Sequence, residues 1–360
     1  MKTSEVMKTE AEDVQLSATT YQQCKADLMR VRNANRDVAR DEHYFDWRYL
    51  GRPGGRPPII VQARDGGGEM IGSLSLIPHS YWIDDAVATV GLLGDISVAS
   101  AWRGKSIAQK MFQFLSGVGA VRELKCCIVL PNEPAARPLE KTGWVNASRL
   151  NRYIRIVGIE RMLRRRSCPP WLARALSAVA TPAYEWTCSV PASPVGGTCE
   201  AAVVDTVDSG FDGLWENLDK TGMVIACRDR AHLAWRFVAH PVRRYRFFVL
   251  RRGSELHGYV AFHVQDDHCY IDDVLCRREP GLAAHLLHAF VTNQRETGAA
   301  TTIAVQINEN FVSETALRRN GFVRRQDFQR VMMKPREDGD AGREFLNSRD
   351  WFMTIGDKDI

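Results

Sequence analysis

Apolar residues recur along this chain in two rhythms. Short runs bounded by turn formers, at 59–63, 71–76, 246–250 and 257–262, predict strands in two hairpins. Apolar Ile107, Met111, Phe114 and Leu115 fall at helical spacing and predict an amphipathic helix over 106–118, with a second over 282–292. Buried strands are expected at 126–130 and 302–307. Each leads to a short helix ending at Thr142-Gly143-Trp144 or Asn320-Gly321-Phe322, where glycine supplies the helix C-cap.

The order of these elements repeats. Tyr44-Phe45-Asp46-Trp47-Arg48-Tyr49-Leu50 followed by Pro53 is echoed by His232-Leu233-Ala234-Trp235-Arg236-Phe237-Val238 followed by Pro241. Strands before and after helices, with an early hairpin in each half, imply an α/β fold of the α+β mixed-sheet kind, built twice in tandem. The expected division is 21–156 and 198–336, joined by a linker over 157–197. Residues 1–20 lack an apolar segment and read as a disordered tail, and 337–360 as a closing tail. In the linker, Arg161, Arg164, Arg165 and Arg166 precede Pro169-Pro170 and an apolar stretch at 171–179. Its main reading is a short helix packed between domains, started by the proline pair. A basic amphipathic helix lying on a membrane surface is the second reading.

Composition narrows the class. With 45% hydrophobic and 25% charged residues over 360 positions, and no apolar run near the ~20 residues a membrane span needs, a cytoplasmic globular protein is expected. Nine scattered cysteines, without a C-x-x-C, fit a reducing compartment and predict no metal site. A net charge of +5 suits a polyanionic small molecule as well as nucleic acid; no nucleic-acid partner is assigned.

The chemistry concentrates where a strand ending at Val98 passes through Ala99-Ser100-Ala101-Trp102 into Arg103-Gly104-Lys105-Ser106-Ile107-Ala108 and a helix. Small residues admit a ligand close to the backbone, the free N–H groups of the helix start point at it, and the helix dipole favours phosphate. The P-loop pattern and G-x-G-x-x-G are both absent, which disfavours nucleotide binding. The segment resembles the Gln/Arg-x-x-Gly-x-Gly/Ala motif of the GNAT acetyltransferase superfamily, with Ser106 where that pattern has glycine. Asn132, Ala135 and Gly143-Trp144 resemble its Asn-x-x-Ala…Gly-Phe segment.

The resemblance implies acetyl-CoA, or another short acyl-CoA, held by Val98, Arg103, Gly104, Lys105, Ser106, Ile107, Ala108 and Asn132. Asp95 is the expected general base, with backbone N–H groups near Ser97 or Val98 on the thioester carbonyl. The tyrosine that serves this family as general acid is replaced by Leu139; either Tyr153, Ser97 or Cys127 donates instead, or the thiolate leaves unassisted. His43, Tyr44, Asp46, Trp47 and Arg48 lie on the early helical region that in this family borders the acceptor, and His79, after Pro78 at a strand end, is a further substrate-binding candidate. For the Trp-Arg pairs, a repeated packing element is the favoured reading. In the second half the matching turn, Cys276-Arg277-Arg278-Glu279-Pro280-Gly281, lacks the motif and places Glu279 where phosphates would sit. Asn310 keeps the spacing, Leu317 replaces the tyrosine, and Asp272-Asp273 reads as a solvated turn. One acyl-CoA site is therefore expected, serving transfer to a primary amine of a small molecule such as an amino sugar or specialised metabolite. The closing segment 349–359 resembles tandem GNAT proteins of bacterial polysaccharide or metabolite clusters, which points the same way. An aminoacyl transferase of the peptidoglycan type and a non-catalytic CoA sensor are the alternatives.

Overall fold

The structure, a computed structural model, describes residues 6–9, 14–54, 56–188, 199–336 and 350–358. The first half contains β1 (Val6–Thr9), β2 (Val14–Thr19), α1 (Tyr21–Asn33), α2 (Glu42–Tyr49), β3 (Ile59–Arg64), β4 (Met70–Ile83) and β5 (Ala86–Val98). It continues with α3 (Ile107–Gly117), β6 (Cys126–Val129), α4 (Glu133–Glu140) and β7 (Val145–Ile156). Helices α5 (Ile159–Arg165) and α6 (Pro170–Cys188) lead to the second half. That half comprises β8 (Glu200–Val204), α7 (Ser209–Glu216), β9 (Met223–Ala226), α8 (Arg230–Leu233), β10 (Arg246–Arg252), β11 (Glu255–Gln265) and β12 (His268–Cys276). After these come α9 (Leu282–Thr297), β13 (Thr302–Ile307), α10 (Glu314–Arg319), β14 (Val323–Pro335) and β15 (Asp350–Phe352).

The expected mixed sheet is present, and both halves share it. Its order is β1-β2-β3-β4-β5-β6-β14-β7-β13-β12-β11-β10-β8, with β5–β6 and β12–β13 parallel. The middle of that order carries an exchange. Strand β14 of the second half pairs with β6 of the first, and β7 of the first pairs with β13 of the second. The two exchanged strands also pair with each other. The boundary expected at residue 156 thus falls at the end of a strand that belongs to both halves.

Helix α3 forms because its apolar stripe has a sheet to cover: Ile107, Met111, Phe112, Phe114 and Leu115 are buried against β3, β4 and β5. Each such side chain contributes roughly 1.5–3 kcal/mol on burial. A separate cluster draws on both halves, with Tyr81, Leu92 and Ile128 packed beside Val224, Met333 and Trp351. At the seam the Trp-Arg repeats meet. Trp47 and Trp235 stack with centroids 5.4 Å apart, and each indole N–H donates to the other's carbonyl oxygen, at 2.8 and 2.9 Å. These tryptophans are the packing element their repetition suggested.

Three expectations about the termini and connector change. The expected tail at 1–20 includes β2, whose Val14 and Leu16 are buried and whose backbone pairs with β3 on one side and β1 on the other; two apolar positions suffice for a strand with a partner waiting. The expected tail at 337–360 includes β15, parallel to β9, with Trp351, Phe352 and Met353 buried. The connector holds two helices rather than one short one, and α6 runs to Cys188.

Candidate functional site

Strands β5 and β6 pair only through Gly91–Cys127 and Leu92–Ile128. Beyond those pairs they part, and the wedge between them opens into a groove of about 690 Å³ at the head of α3. Ile96, Ser97 and Val98 form one wall and Asn132 the other. Asn132 also caps α4, its side chain accepting from the Ala135 N–H at 3.2 Å. That bond fixes the end of β6 to the helix that forms the far rim.

At the groove's head the backbone is shaped for an anion. Gly104 and Ser106 both have left-handed φ, 80° and 59°, so the chain turns sharply before α3 begins at Ile107. The first-turn N–H groups of a helix have no intrahelical acceptor and carry the positive end of its dipole. Arg36, Arg103, Arg137 and Lys141 line the groove, and no carboxylate among the described residues does. Four cations around free N–H groups can hold a diphosphate.

Of the residues the motif marks, Val98, Arg103, Gly104, Ser106, Ile107, Ala108 and Asn132 come together on this groove. Lys105 does not line it; its ammonium lies over the Trp102 ring, 4.5 Å from the centroid. Arg103 reaches back instead, donating to the Asn35 side-chain oxygen and, at 3.4 Å, to the Val98 carbonyl. Sequence reasoning missed Asn35 and Arg36, from the loop after α1, Arg137 of α4, and Lys141, which follows that helix. Lone polar residues in loops and on an exposed helix face carry no periodic signal.

Asp95 lies beside the groove in an environment that suits a fixed anion. It is 7% exposed, with φ of 46° at an irregularity where β5 slips against β4. Arg48 Nε sits 2.9 Å from Oδ2 and Arg32 Nε 3.3 Å from Oδ1, while the Tyr49 hydroxyl donates to Oδ2 at 2.5 Å. Burial alone would push its carboxyl up, but the two guanidinium groups and the phenol hold it below the ordinary carboxylate range. A carboxylate so held is a poor proton acceptor. Ser97 differs: it is 3% exposed, lines the groove, and its hydroxyl has no hydrogen-bond partner among the described residues. A buried hydroxyl left open toward a cavity is a ready ligand contact.

The remaining candidates stand elsewhere. Leu139 is fully buried beneath α3, Cys127 is buried and its thiol pushed up to about 12 by desolvation, and the Tyr153 hydroxyl donates to Glu309 at 2.5 Å. Tyr44 is buried in the α1–α2 cluster, and Asp46 accepts from the Tyr21 hydroxyl at 2.8 Å and pairs with Lys25 at 2.9 Å. His79 lines a small cavity of about 30 Å³ at the seam, with His232 and the two tryptophans. None of these three expected acceptor residues lines the groove.

The second half repeats the geometry and fills it. Strands β12 and β13 pair through Ile271–Val305 and then part. Into that wedge comes the segment after β15. Thr354 bridges to Ile307 and its hydroxyl donates to Asp273 at 2.9 Å; the Met353 N–H donates to Asn308 at 3.0 Å. Gly356 sits so close to the Asp272 carbonyl that a Cβ there would lie 2.6 Å from it. Asp272 and Asp273 are therefore buried rather than in a solvated turn. Asp272 pairs with His263 at 3.0 Å, and Asp273 with Arg228 at 3.2 Å and the Tyr259 hydroxyl at 2.7 Å. Asn310 does not cap α10; Ser313 does, and the Asn310 amide donates to the Trp351 carbonyl at 2.8 Å. Glu279 is engaged by Arg252, at 3.0 Å, and lies 3.3 Å from His257 Nδ1.

No family model matches the sequence, and no curated protein does. Solved structures do match in fold. A probable N-acyltransferase from Enterococcus faecalis superposes with a TM-score of 0.61 at 10% identity, over 89% of this chain and 72% of that one. A GCN5-related N-acetyltransferase from Anabaena variabilis gives 0.61 at 13%, over 89% and 73%. The Saccharomyces cerevisiae N-myristoyltransferase with bound myristoyl-CoA gives 0.56 at 9%, over 92% and 84%. The chain thus has the fold of the GCN5-related N-acetyltransferase superfamily.

Proposed function

We propose that this chain is a cytoplasmic acyltransferase that moves a short acyl group, acetyl first, from acyl-CoA to a primary amine of a small molecule such as an amino sugar or specialised metabolite. The observation that carries the reading is the open wedge between β5 and β6, continuous with a groove at the head of α3 whose described charged residues are all cationic. The diphosphate would take the N–H groups after Ser106 together with Arg103, Arg137 and Lys141. The arm would run between Val98 and Asn132. Acyl-CoA supplies an activated thioester; the chain binds, orients and polarises it. The Ser97 hydroxyl is assigned to the carbonyl oxygen on which negative charge grows. Asp95 is assigned to holding β5 in its irregular course. With no described carboxylate or imidazole on the groove, the ammonium proton leaves through water.

The same bare wall favours a second reading, a CoA-binding sensor without turnover. Calorimetry with acetyl-CoA and thiol release over a panel of amines separate the two. Binding with release on at least one amine is the expected result; binding with no release on any amine supports the sensor, and no binding overturns both.

A further inference from the structure

The connector between the halves carries a face that no described residue covers. Successive helical residues turn by about 100°, so Trp171, Ala175, Val179 and Pro182 of α6 share one side, with Ala173, Ala180 and Tyr184 on the other. The side toward the protein is the small and polar one. Ala173 is buried there, and the Tyr184 hydroxyl donates to the Gly321 carbonyl at 3.2 Å beneath the guanidinium of Arg155. The outward side is the apolar one: Trp171 is 73% exposed, Val179 75% and Leu176 46%. An ordinary surface helix is arranged the other way round.

Positive charge surrounds that face. Between residues 159 and 184 stand five arginines and one glutamate. Arg164, Arg165, Arg166 and Arg174 are exposed. Glu160 is shared by Arg164 at 2.6 Å and Arg174 at 4.0 Å, and Arg165 pairs with Asp267 at 2.8 Å. Among the described residues no helix is long and apolar enough to cross a membrane.

We propose that the α5–α6 hairpin docks the protein on an anionic lipid surface. Trp171, Leu176 and Val179 enter the boundary between headgroups and acyl chains, and the arginines beside them meet lipid phosphates. A rim in which exposed Arg164, Arg165, Arg166 and Arg174 outnumber Glu160 and Asp267 complements a negatively charged bilayer. An isologous contact with a second copy would bring like charges together. The tryptophan at the helix start has the residue chemistry that favours a membrane–water boundary.

The test is co-sedimentation of the full chain with vesicles of phosphatidylcholine alone or mixed with phosphatidylserine. The expected result is retention on the mixed vesicles, weakened by salt and by removal of phosphatidylserine. Val179→Glu and Trp171→Ala, both at exposed positions, should each lower the bound fraction by about tenfold with unchanged thermal melting. Arg166→Glu should act mainly on the phosphatidylserine-dependent part. Absence of vesicle binding, or binding untouched by Val179→Glu, overturns the proposal. So does a wild-type dimer in solution that Val179→Glu converts to monomer.

Discussion

Asp95 and Asp273 stand three residues before Val98 and Cys276, each of which faces a glycine on the neighbouring strand, Gly72 and Gly258. Each carboxylate is gripped by an arginine and a tyrosine: Arg48 and Tyr49 in one half, Arg228 and Tyr259 in the other. A clamp present in both halves, including the one whose wedge is filled, serves the fold. Asp95→Asn should therefore destabilise by about 3–5 kcal/mol in urea unfolding, because the buried Arg48 guanidinium loses its charged partner; Asp273→Asn should cost less, since Arg228 keeps Asp357 at 2.8 Å. The Asp95 carboxyl is held below its unfolded value of 3.8, so its contribution is full above that value and fades as pH falls through the depressed one. The acid limb of a stability–pH curve should flatten in Asp95→Asn; an unchanged limb would remove the clamp. Nearer the groove, Ser106→Gly should relieve the left-handed strain and raise stability by about 1 kcal/mol. Arg103→Glu should weaken acetyl-CoA binding far more than Glu279→Arg changes it, as measured by calorimetry, since only Arg103 lines the open groove. The motif marked the groove's backbone legibly because the turn and helix start are local in sequence. The clamp around Asp95 was not legible, because its partners Arg32 and Arg48 come from distant helices.

The two wedges differ through one element that the sequence did not reveal. In the first half β5 and β6 part around open space; in the second, the residues after β15 occupy the gap between β12 and β13. The motif comparison singled out Glu279; the filled gap is a second, steric difference between the halves. Gly356→Ala should test it: a methyl group 2.6 Å from the Asp272 carbonyl and 3.2 Å from the Phe237 ring must displace the segment. A loss of about 1–3 kcal/mol in thermal or chemical unfolding is expected, with acetyl-CoA affinity retained. An unperturbed melt would mean that the filling segment is held loosely. Apolar spacing located the hairpin strands, β6, β13 and helices α3 and α9, because it reports burial along an element; it did not place β7 and β14, the strands of the exchange. It is silent about which distant element does the burying, and so read β2 and the segment around β15 as tails.

At the scale of the molecule, the tandem repeat is visible in sequence but separability is not. Strand β14 lies between β6 and β7, and β7 lies between β14 and β13, so neither half can complete its sheet alone. The expected behaviour is one cooperative calorimetric transition for the whole chain. Residues 1–188 and 189–360, produced separately, should fail to fold and should assemble only when mixed or co-produced; a soluble, cooperatively melting single half would refute this. The same exchange sets a timetable for biosynthesis. Strand β6 keeps a bare edge until the segment ending at Pro335 has left the ribosome. From the emergence of β6 until that of β14 the nascent first half thus exposes backbone donors and acceptors to any passing strand. Its dependence on chaperones should accordingly fall on the emerging chain rather than on the finished protein.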